Sequence, residues 1–481
     1  MKNRHRFIMS NDFSFFIYDY ESFGVDPARD RPAQFGGIRT DENFNIIGEP
    51  VMFYCQQTSD YLPSPDAVMI TGITPQECNE KGVPEYEFAD KILAEFSQPN
   101  TCIMGYNNIR YDDEMTRYTF YRNLRDPYAY SYKNGNSRWD LLDLVRACYA
   151  LRPEGINWVY DDDGLPSFRL ELLTKANGIE HSHAHDAMAD VYATLEMAKL
   201  IKQKQPRLFD FYFKNRDKKN VEKMMDTATL TPLVHVSGMF GNARSNVSVI
   251  VPLAWDLKNK NLVHCCDLMG DVEAMLQRPA DENQQILYTK RTELEEQGVA
   301  PVPLKGVHIN KCPFIAPLNT LRPQDVERLG IDMEKCQRNL ALLREYAYIR
   351  DFTLDICGTE REYPADENVE TALYSGFFSR NDMNNLAILR TLPVEKWDDC
   401  GLKFEDPRIP QLLFHFKARY FFKNLSRPEQ IKWKKYRLNK IEQKAAEFEA
   451  CFYDLYQENL GNEEKITLLS QLQLYVSKLF A

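Results

Sequence analysis

The chain has no run of about 18 consecutive apolar residues, so no segment reads as a transmembrane helix. Its basic start, Met1 to Arg6, is followed only by Phe7-Ile8-Met9 before polar residues resume, too short an apolar core for a secretory signal. No cysteine pair has the C-x-x-C spacing, which argues against a zinc ribbon or a redox pair; the 11 cysteines are scattered. Reduced thiols in a cytoplasmic protein are expected. Neither G-x-x-x-x-G-K-[ST] nor G-x-G-x-x-G occurs, so no nucleotide cofactor is expected. Repeats and low-complexity tracts are absent as well. The net charge of −11 argues mildly against a nucleic-acid partner if taken as one number. Local charge is the better guide, because a polyanion binds where cations cluster. From Lys417 to Lys444 there are ten Lys/Arg against two Glu, interleaved with Tyr420, Phe421, Phe422, Trp433 and Tyr436.

What is present is a folded, multidomain composition: 481 residues, 44% hydrophobic and 12% aromatic. Residues 13–205 read as α/β, with apolar strands at Phe15–Tyr18, Phe35–Thr40, Ile46–Ile47, Val51–Tyr54 and Thr101–Tyr106. Helical patterns are expected at Pro75–Lys81, Glu85–Phe96, Met115–Leu124, Leu141–Ala150, Arg169–Asn177 and Ala187–Lys204. A meander followed by alternating helices predicts a mixed sheet with helices on its faces. Residues 206–360 shift to short β-type runs at Leu233–Val236, Val247–Val251, Leu262–Cys266 and Val307–Ile309, with a helical patch at Pro323–Glu345. That pattern suggests a small barrel or sandwich. Residues 364–481 read as helical, giving three domains.

The chemistry is carried by acidic residues. Asp19 and Glu21 follow the apolar run Phe15-Phe16-Ile17-Tyr18 and, two apart on a strand, project to the same face. Adjacent like charges are costly unless a cation lies between them. Asp112 and Asp113 follow the strand ending near Tyr106. In His185-Asp186-Ala187-Met188-Ala189-Asp190, the histidine precedes a helix, Asp186 suits its N-cap, and Asp190 lies one turn inside. Small Ala187 and Ala193 would let this helix approach a sheet closely. Four carboxylates and a histidine suit phosphodiester hydrolysis. Two metals about 3.5–4 Å apart can generate hydroxide and stabilise the leaving oxygen, and a histidine can serve as base. Hard cations such as Mg²⁺ prefer carboxylate oxygens.

D-x-E, then N-x-x-Y-D, then H-x₄-D resembles the ordered signature of the DEDDh 3′→5′ exonucleases. Longer strings are similar to the bacterial exonuclease I family. They are Asp-Tyr-Glu-Ser-Phe-Gly at 19–24, Gly-Tyr-Asn-Asn-Ile-Arg-Tyr-Asp-Asp-Glu at 105–114, Ser-Arg-Trp-Asp-Leu-Leu-Asp at 137–143 and Arg-Pro-Glu-Gly-Ile-Asn-Trp at 152–158. Gly-Leu-Pro-Ser-Phe-Arg-Leu-Glu at 164–171, His-Val-Ser-Gly-Met-Phe-Gly at 235–241, His-Ile-Asn-Lys-Cys-Pro at 308–313 and Tyr-Ser-Gly-Phe-Phe at 374–378 extend the likeness along the chain. The resemblance implies an RNase H-like exonuclease domain with a mixed sheet, an SH3-like β-barrel domain and a helical C-terminal domain, together wrapping single-stranded DNA. It implies metal ligands at Asp19, Glu21 and Asp190, with Asp112 completing the catalytic set and His185 as base. Asp112 fits the family's spacing, and the residues alone leave Asp113 open. Glu21 and Arg169 would contact the terminal nucleotide. Two Mg²⁺ ions are implied, with Mn²⁺ as a substitute. The acidic tail of single-strand DNA-binding protein is an implied partner, with Arg152 and Arg322 as its contacts. A monomer is expected.

Between Tyr106 and Arg152 seven arginines alternate with aromatics. Cations tracking phosphates and rings stacking on bases build sequence-tolerant single-strand grooves. Arg117, Tyr128, Tyr132 and Arg146 are the preferred contacts here, partly because the family implies them, and Lys218 and Lys305 join them in the second domain. The bland reading makes many of these rings core and many of these arginines solvated. His181, His183 and His185 tempt a zinc reading, which is set aside because only His185 has a role in the exonuclease pattern; Asp161-Asp162-Asp163-Gly164 tempts a calcium one, and a solvated acidic loop is the preferred account. The expected activity is Mg²⁺-dependent, processive 3′→5′ degradation of single-stranded DNA to 5′-mononucleotides in DNA repair or recombination. Its competitors are a DEDDh ribonuclease and a non-catalytic single-strand-binding protein.

Overall fold

The computed structural model describes residues 13–181, 186–358 and 368–480. They gather in two compact units: residues 13–137 with 181, 186–195 and 368–480, and residues 138–180 with 196–358. The sequence boundary between the units falls in the short strand Ser137–Asp140. Among the described residues no helix is long and apolar enough to cross a membrane.

In the first unit the sheet is built on β1 (Ser14–Ser22), β2 (Pro32–Thr40), β3 (Val51–Tyr54) and β4 (Thr101–Gly105). Their order is β3-β2-β1-β4, with β1 antiparallel to β2 and parallel to β4, which is the expected mixed sheet. Aromatic and β-branched residues suit a pleated, covered surface, and β1 carries five of them in Phe15-Phe16-Ile17-Tyr18 and Tyr20. Period-2 alternation then sorts them. Phe16, Tyr18 and Tyr20 join Phe35, Phe88, Ile92 and Phe96 in one aromatic core under the Glu85–Phe96 helix. Each such ring contributes about 1.5–3 kcal/mol on burial. The opposite face of β1 therefore carries Asp19 and Glu21. Ile46–Ile47 does not form a strand; it contributes only the bridge Thr40↔Ile46, since Gly48 and Pro50 break the run at once.

The helical C-terminal stretch packs into this same unit. Leu472, Tyr475, Val476 and Leu479 of the Glu463–Phe480 helix cluster with Phe23, Ala33, Tyr61 and Val68. Ile409, Leu412 and Phe416 of the Ile409–Tyr420 helix cluster with Tyr118, Tyr121 and Leu124.

The second unit holds a five-stranded antiparallel sheet. Its order is Leu304–His308, Leu262–Asp267, Val247–Trp255, Leu233–Val236, Phe314–Pro317. Three helices between Val272 and Gln297 interrupt the β pattern, an insertion the alternation signal did not reveal. The expected patch at Pro323–Glu345 resolves into helices Pro323–Leu329 and Met333–Glu345, divided by Gly330 in the left-handed region.

Candidate active site

Ligand-capable oxygens of Asp19, Glu21 and Asp190 lie within 4.8 Å of one another, and this is the one such cluster of three or more among the described residues. Two come from β1. The third comes from the Ala187–Lys204 helix, whose N-cap is Asp186: its Oδ1 accepts from the Met188 and Ala189 N–H groups, each at 3.1 Å. The Asp190 N–H donates to the Asp186 carbonyl at 3.0 Å, so Asp190 sits one turn in, as the spacing predicts. Ala187 and Ala193 are fully buried, as expected of a helix that lies close to the sheet.

Asp112 opens the Asp112–Arg122 helix rather than lying in a loop before it. Consecutive helical residues point about 100° apart, and the two aspartates divide accordingly. Asp113 accepts from the Tyr18 hydroxyl at 2.6 Å and from Asn108 Nδ2 at 3.4 Å, on the aromatic side of the sheet. Asp112 bears instead on the acidic cluster, where its charge raises the pKa of both Asp19 and Glu21. Desolvation is the larger cause for each. Burial and the carboxylates of Asp112, Glu21, Asp190 and Asp186 hold Asp19 well above the ordinary range. Glu21, 7% exposed, is pushed up to about 8 by burial and then by Asp190, Asp112 and Asp186. A cluster in which carboxylates must hold protons against their nature is one that a cation would relieve. The donor set is all hard oxygen, which suits Mg²⁺, Mn²⁺ or Ca²⁺.

His185 and His183 lie outside the described residues. The side chain of His181, the first histidine of that run, is buried, and its Nε2 contacts Asp190 Oδ1 at 2.6 Å. Its closeness to Asp190 was not foreseen, because eight intervening residues hide it from any local spacing rule.

The candidate nucleic-acid residues divide between the units. In the first, the Arg117 guanidinium is nearly buried, donating to Glu114 at 2.8 Å and to the Tyr374 hydroxyl at 3.1 Å, and lying 5.5 Å over the Tyr128 ring. Tyr128 meets Phe377 edge-on at 5.3 Å. Phe377 is 82% exposed and Tyr132 62%. Arg122 and Arg125, in contrast, are structural: Arg122 is fully buried against Glu85, and Arg125 holds Asp90. In the second unit Arg146 donates to Asp143 at 2.8 Å and faces Gly238, where a Cβ would fall 2.9 Å from the guanidinium carbon. Lys305 donates to Ser237 Oγ at 2.8 Å above the Phe240 ring, and Lys218 donates to Asn261 at 3.2 Å. Arg169 is the N-cap residue of the Leu170–Ala176 helix and 70% exposed, paired with Glu171 at 2.6 Å. Arg152 and Arg322 share the buried Asp325, and Arg322 also reaches Glu154 at 2.9 Å. Asp161 accepts from the Asp163 and Leu165 N–H groups in the turn of the Val159–Tyr160/Pro166–Ser167 hairpin.

The basic segment 417–444 is in part an interior feature. Arg419 is buried between Asp60, at 2.7 Å, and Glu370; Lys440 reaches Asp60 at 2.9 Å and Glu370 at 3.6 Å; and Arg31 pairs with Glu370 at 3.1 Å. All eleven cysteines are free thiols, eight of them buried.

Comparison with known proteins gives this architecture its class. Residues 16–198 match the family described as Exonuclease, 216–355 the Exonuclease I SH3-like domain and 367–479 the Exonuclease I C-terminal domain. An acidic-rimmed mixed sheet of that kind makes the chain an exonuclease. An exodeoxyribonuclease I of Haemophilus influenzae is 66% identical over 98% of this chain and 100% of its own length. The crystal structure of Escherichia coli exonuclease I in complex with a dA16 oligonucleotide is 50% identical, with a TM-score of 0.94 over 97% of this chain and 100% of that one. A zinc-bound form of the E. coli enzyme with single-stranded DNA has a TM-score of 0.94 at 49% identity, covering 98% of this chain and 100% of that one. A structure of SSB/exonuclease I in complex with the inhibitor CFAM has a TM-score of 0.90 at 48% identity, covering 97% and 100%. The chain belongs to the exodeoxyribonuclease I family. The expected fold class, an exonuclease domain with a mixed sheet followed by SH3-like and helical parts, is the one found.

Proposed function

We propose that this chain is a Mg²⁺-dependent 3′→5′ exonuclease that degrades single-stranded DNA to 5′-mononucleotides, processively, in DNA repair or recombination. The observation that carries the reading is the trio Asp19, Glu21 and Asp190, with oxygens within 4.8 Å of one another on the rim of the exonuclease sheet. These three would hold the cations, and Asp112 completes the acidic set. Two bound divalent ions supply a water of lowered pKa and positive charge for the departing 3′ oxygen. His185 accepts the proton of the attacking water. Glu21 and Arg169 orient the terminal nucleotide, the guanidinium of Arg169 being exposed enough to meet a phosphate. The likeness to relatives solved with single-stranded DNA supports that substrate.

Arg117, Tyr128 and Tyr132 in the first unit and Arg146, Lys218 and Lys305 in the second are the DNA contacts, and exposed Tyr132 offers a stacking face. Arg152 and Arg322 receive the acidic tail of single-strand DNA-binding protein. With Arg328 they place three cations around Asp325 and Glu154, leaving an excess of positive charge. The SSB/exonuclease I relative supports this partner.

The test is digestion of 3′- and 5′-labelled single-stranded DNA and RNA with Mg²⁺ or EDTA, alongside Asp19→Ala and His185→Ala. Loss of mononucleotide release in EDTA and in both variants is expected. Activity persisting in EDTA or in Asp19→Ala would sink the metal mechanism, preference for RNA would make the chain a ribonuclease, and binding without cleavage would make it a single-strand-binding protein.

A further inference from the structure

Strand β2 pairs with β1 beside the acidic pair and also meets the start of the helix that carries the third carboxylate. In the β1–β2 ladder Asp19 stands opposite Gly36 and Glu21 opposite Gln34. Directly opposed residues project to the same face, so these two positions flank the acidic pair. Both meet the start of the Ala187–Lys204 helix. A Cβ at Gly36 would fall 2.9 Å from the Ala187 carbonyl carbon and 3.0 Å from the Met188 nitrogen, so glycine there allows the helix its approach. Gln34 uses both ends of its amide. Its Oε1 accepts from the Ala187 N–H at 3.0 Å, and its Nε2 donates to Asp186 Oδ2 at 3.3 Å. The side chain is 1% exposed.

The first helical turn leaves orphan N–H groups that need acceptors. Here the work is divided between two residues: Asp186 takes the Met188 and Ala189 donors, and Gln34 takes the Ala187 donor while also gripping the cap carboxylate. One buried side chain thus ties the neighbour of Glu21 to the turn that presents Asp190. We propose that Gln34 is a positioning residue for the acidic centre, setting the distance between Asp190 and the Asp19–Glu21 pair. This rests on reading the trio as a divalent-cation site. Mg²⁺ tolerates little departure from octahedral geometry, and loss of an outer-shell partner typically weakens metal binding about 10–100-fold.

The test is Mn²⁺ binding to the full-length protein without DNA, followed by the EPR signal of free Mn²⁺, with thermal melting in parallel. Gln34→Met keeps the length and loses both hydrogen bonds; about tenfold weaker binding is expected, with nuclease activity recovering as the cation concentration is raised. Gln34→Glu places a carboxylate against Asp186 and should also weaken the site. In the double variant Gln34→Glu/Asp186→Asn the bond can re-form with its polarity reversed, at unchanged total charge, and Mn²⁺ should bind more tightly than in Gln34→Glu alone. A merely structural role would lower the melting temperature without this reversal. Gln34→Met binding within twofold of the unmodified protein, or a double variant no tighter than Gln34→Glu, would overturn the proposal; if Gln34→Met does not fold, the second comparison decides. Asp19→Ala separates the two readings. If it binds Mn²⁺ as the unmodified protein does, the cation site itself is refuted; if it loses binding while Gln34→Met does not, only the positioning role falls.

Discussion

The Tyr18 hydroxyl donates to Asp113 at 2.6 Å, which turns that carboxylate toward the aromatic core and away from its neighbour's work. Asp112 and Asp113 are consecutive and chemically identical, yet only Asp112 bears electrostatically on both Asp19 and Glu21. Asp112→Asn should therefore abolish exonuclease activity while leaving the melting temperature unchanged or raised, because it relieves like-charge crowding. Asp113→Asn should retain metal binding and lose about 1–3 kcal/mol of stability, the cost of disturbing a buried charge-assisted hydrogen bond. Denaturant melts with activity assays on both variants separate the roles; the opposite pattern would exchange the assignments.

Stability of the cation-free protein should depend on pH through the same cluster. Glu21 has its pKa raised from 4.5 to about 8 in the fold. The folded state then binds more protons than the unfolded state across that interval, so this contribution is present below about pH 4.5 and is lost as pH rises through about 8. Asp60 and Glu370 have depressed values, and their opposing contribution is lost only under more acidic conditions. In EDTA the melting temperature should fall between about pH 6.5 and 8, above the range in which buried His235, depressed to about 3, adds stability as pH rises; saturating Mg²⁺ should flatten the slope by replacing protons with a cation. A flat or rising curve in EDTA would contradict the crowding.

Removing one member of the interior ion network should be far more damaging than removing a surface charge. The Arg419 side chain is 1% exposed and holds both Asp60 and Glu370. Arg419→Met would leave two buried carboxylates with too few cations, a loss of about 3–5 kcal/mol. Lys434→Met, on the exposed side of the same segment, should change stability by less than about 0.5 kcal/mol. Urea titration of the two variants measures the contrast.

Tyr374 supports Arg117 from the C-terminal helical stretch, accepting from the guanidinium at 3.1 Å and itself donating to Glu114. Tyr374→Phe removes both bonds and keeps the ring. A hydrogen bond of this kind contributes about 0.5–1.5 kcal/mol. If Arg117 holds DNA, affinity for a short oligothymidylate should fall about two- to tenfold by fluorescence anisotropy, with the melting temperature little changed. Unaltered affinity would detach Tyr374 from the binding track.

Much of the fold was legible because local patterning and tertiary demand agreed. The strand Val51–Tyr54 and the helices Pro75–Lys81, Glu85–Phe96 and Ala187–Lys204 have the bounds that alternation and capping residues predict. The helices between Val272 and Gln297 escaped because they are short, interrupted by Pro279 and weakly patterned, within a stretch otherwise read for strands. Of the site, Asp19, Glu21 and Asp190 stood out by spacing. Gln34 did not, although a lone amide amid Pro-Ala-Gln-Phe-Gly-Gly-Ile of a wholly buried strand was the available signal.

By itself the sequence determined the acidic chemistry: i,i+2 alternation puts Asp19 beside Glu21, and an N-cap puts Asp190 one turn into its helix. The ordered strings determined the family. Only the tertiary structure decided which of Asp112 and Asp113 acts electrostatically on Asp19 and Glu21, which cations of 417–444 are spent inside the protein, and what ties the Asp190 helix to its strand. Those outcomes depend on which surfaces meet at residues far apart in the chain. Spacing fixes a side chain's direction on its own element, while partners and burial, and hence pKa and accessible charge, arise only when elements pack.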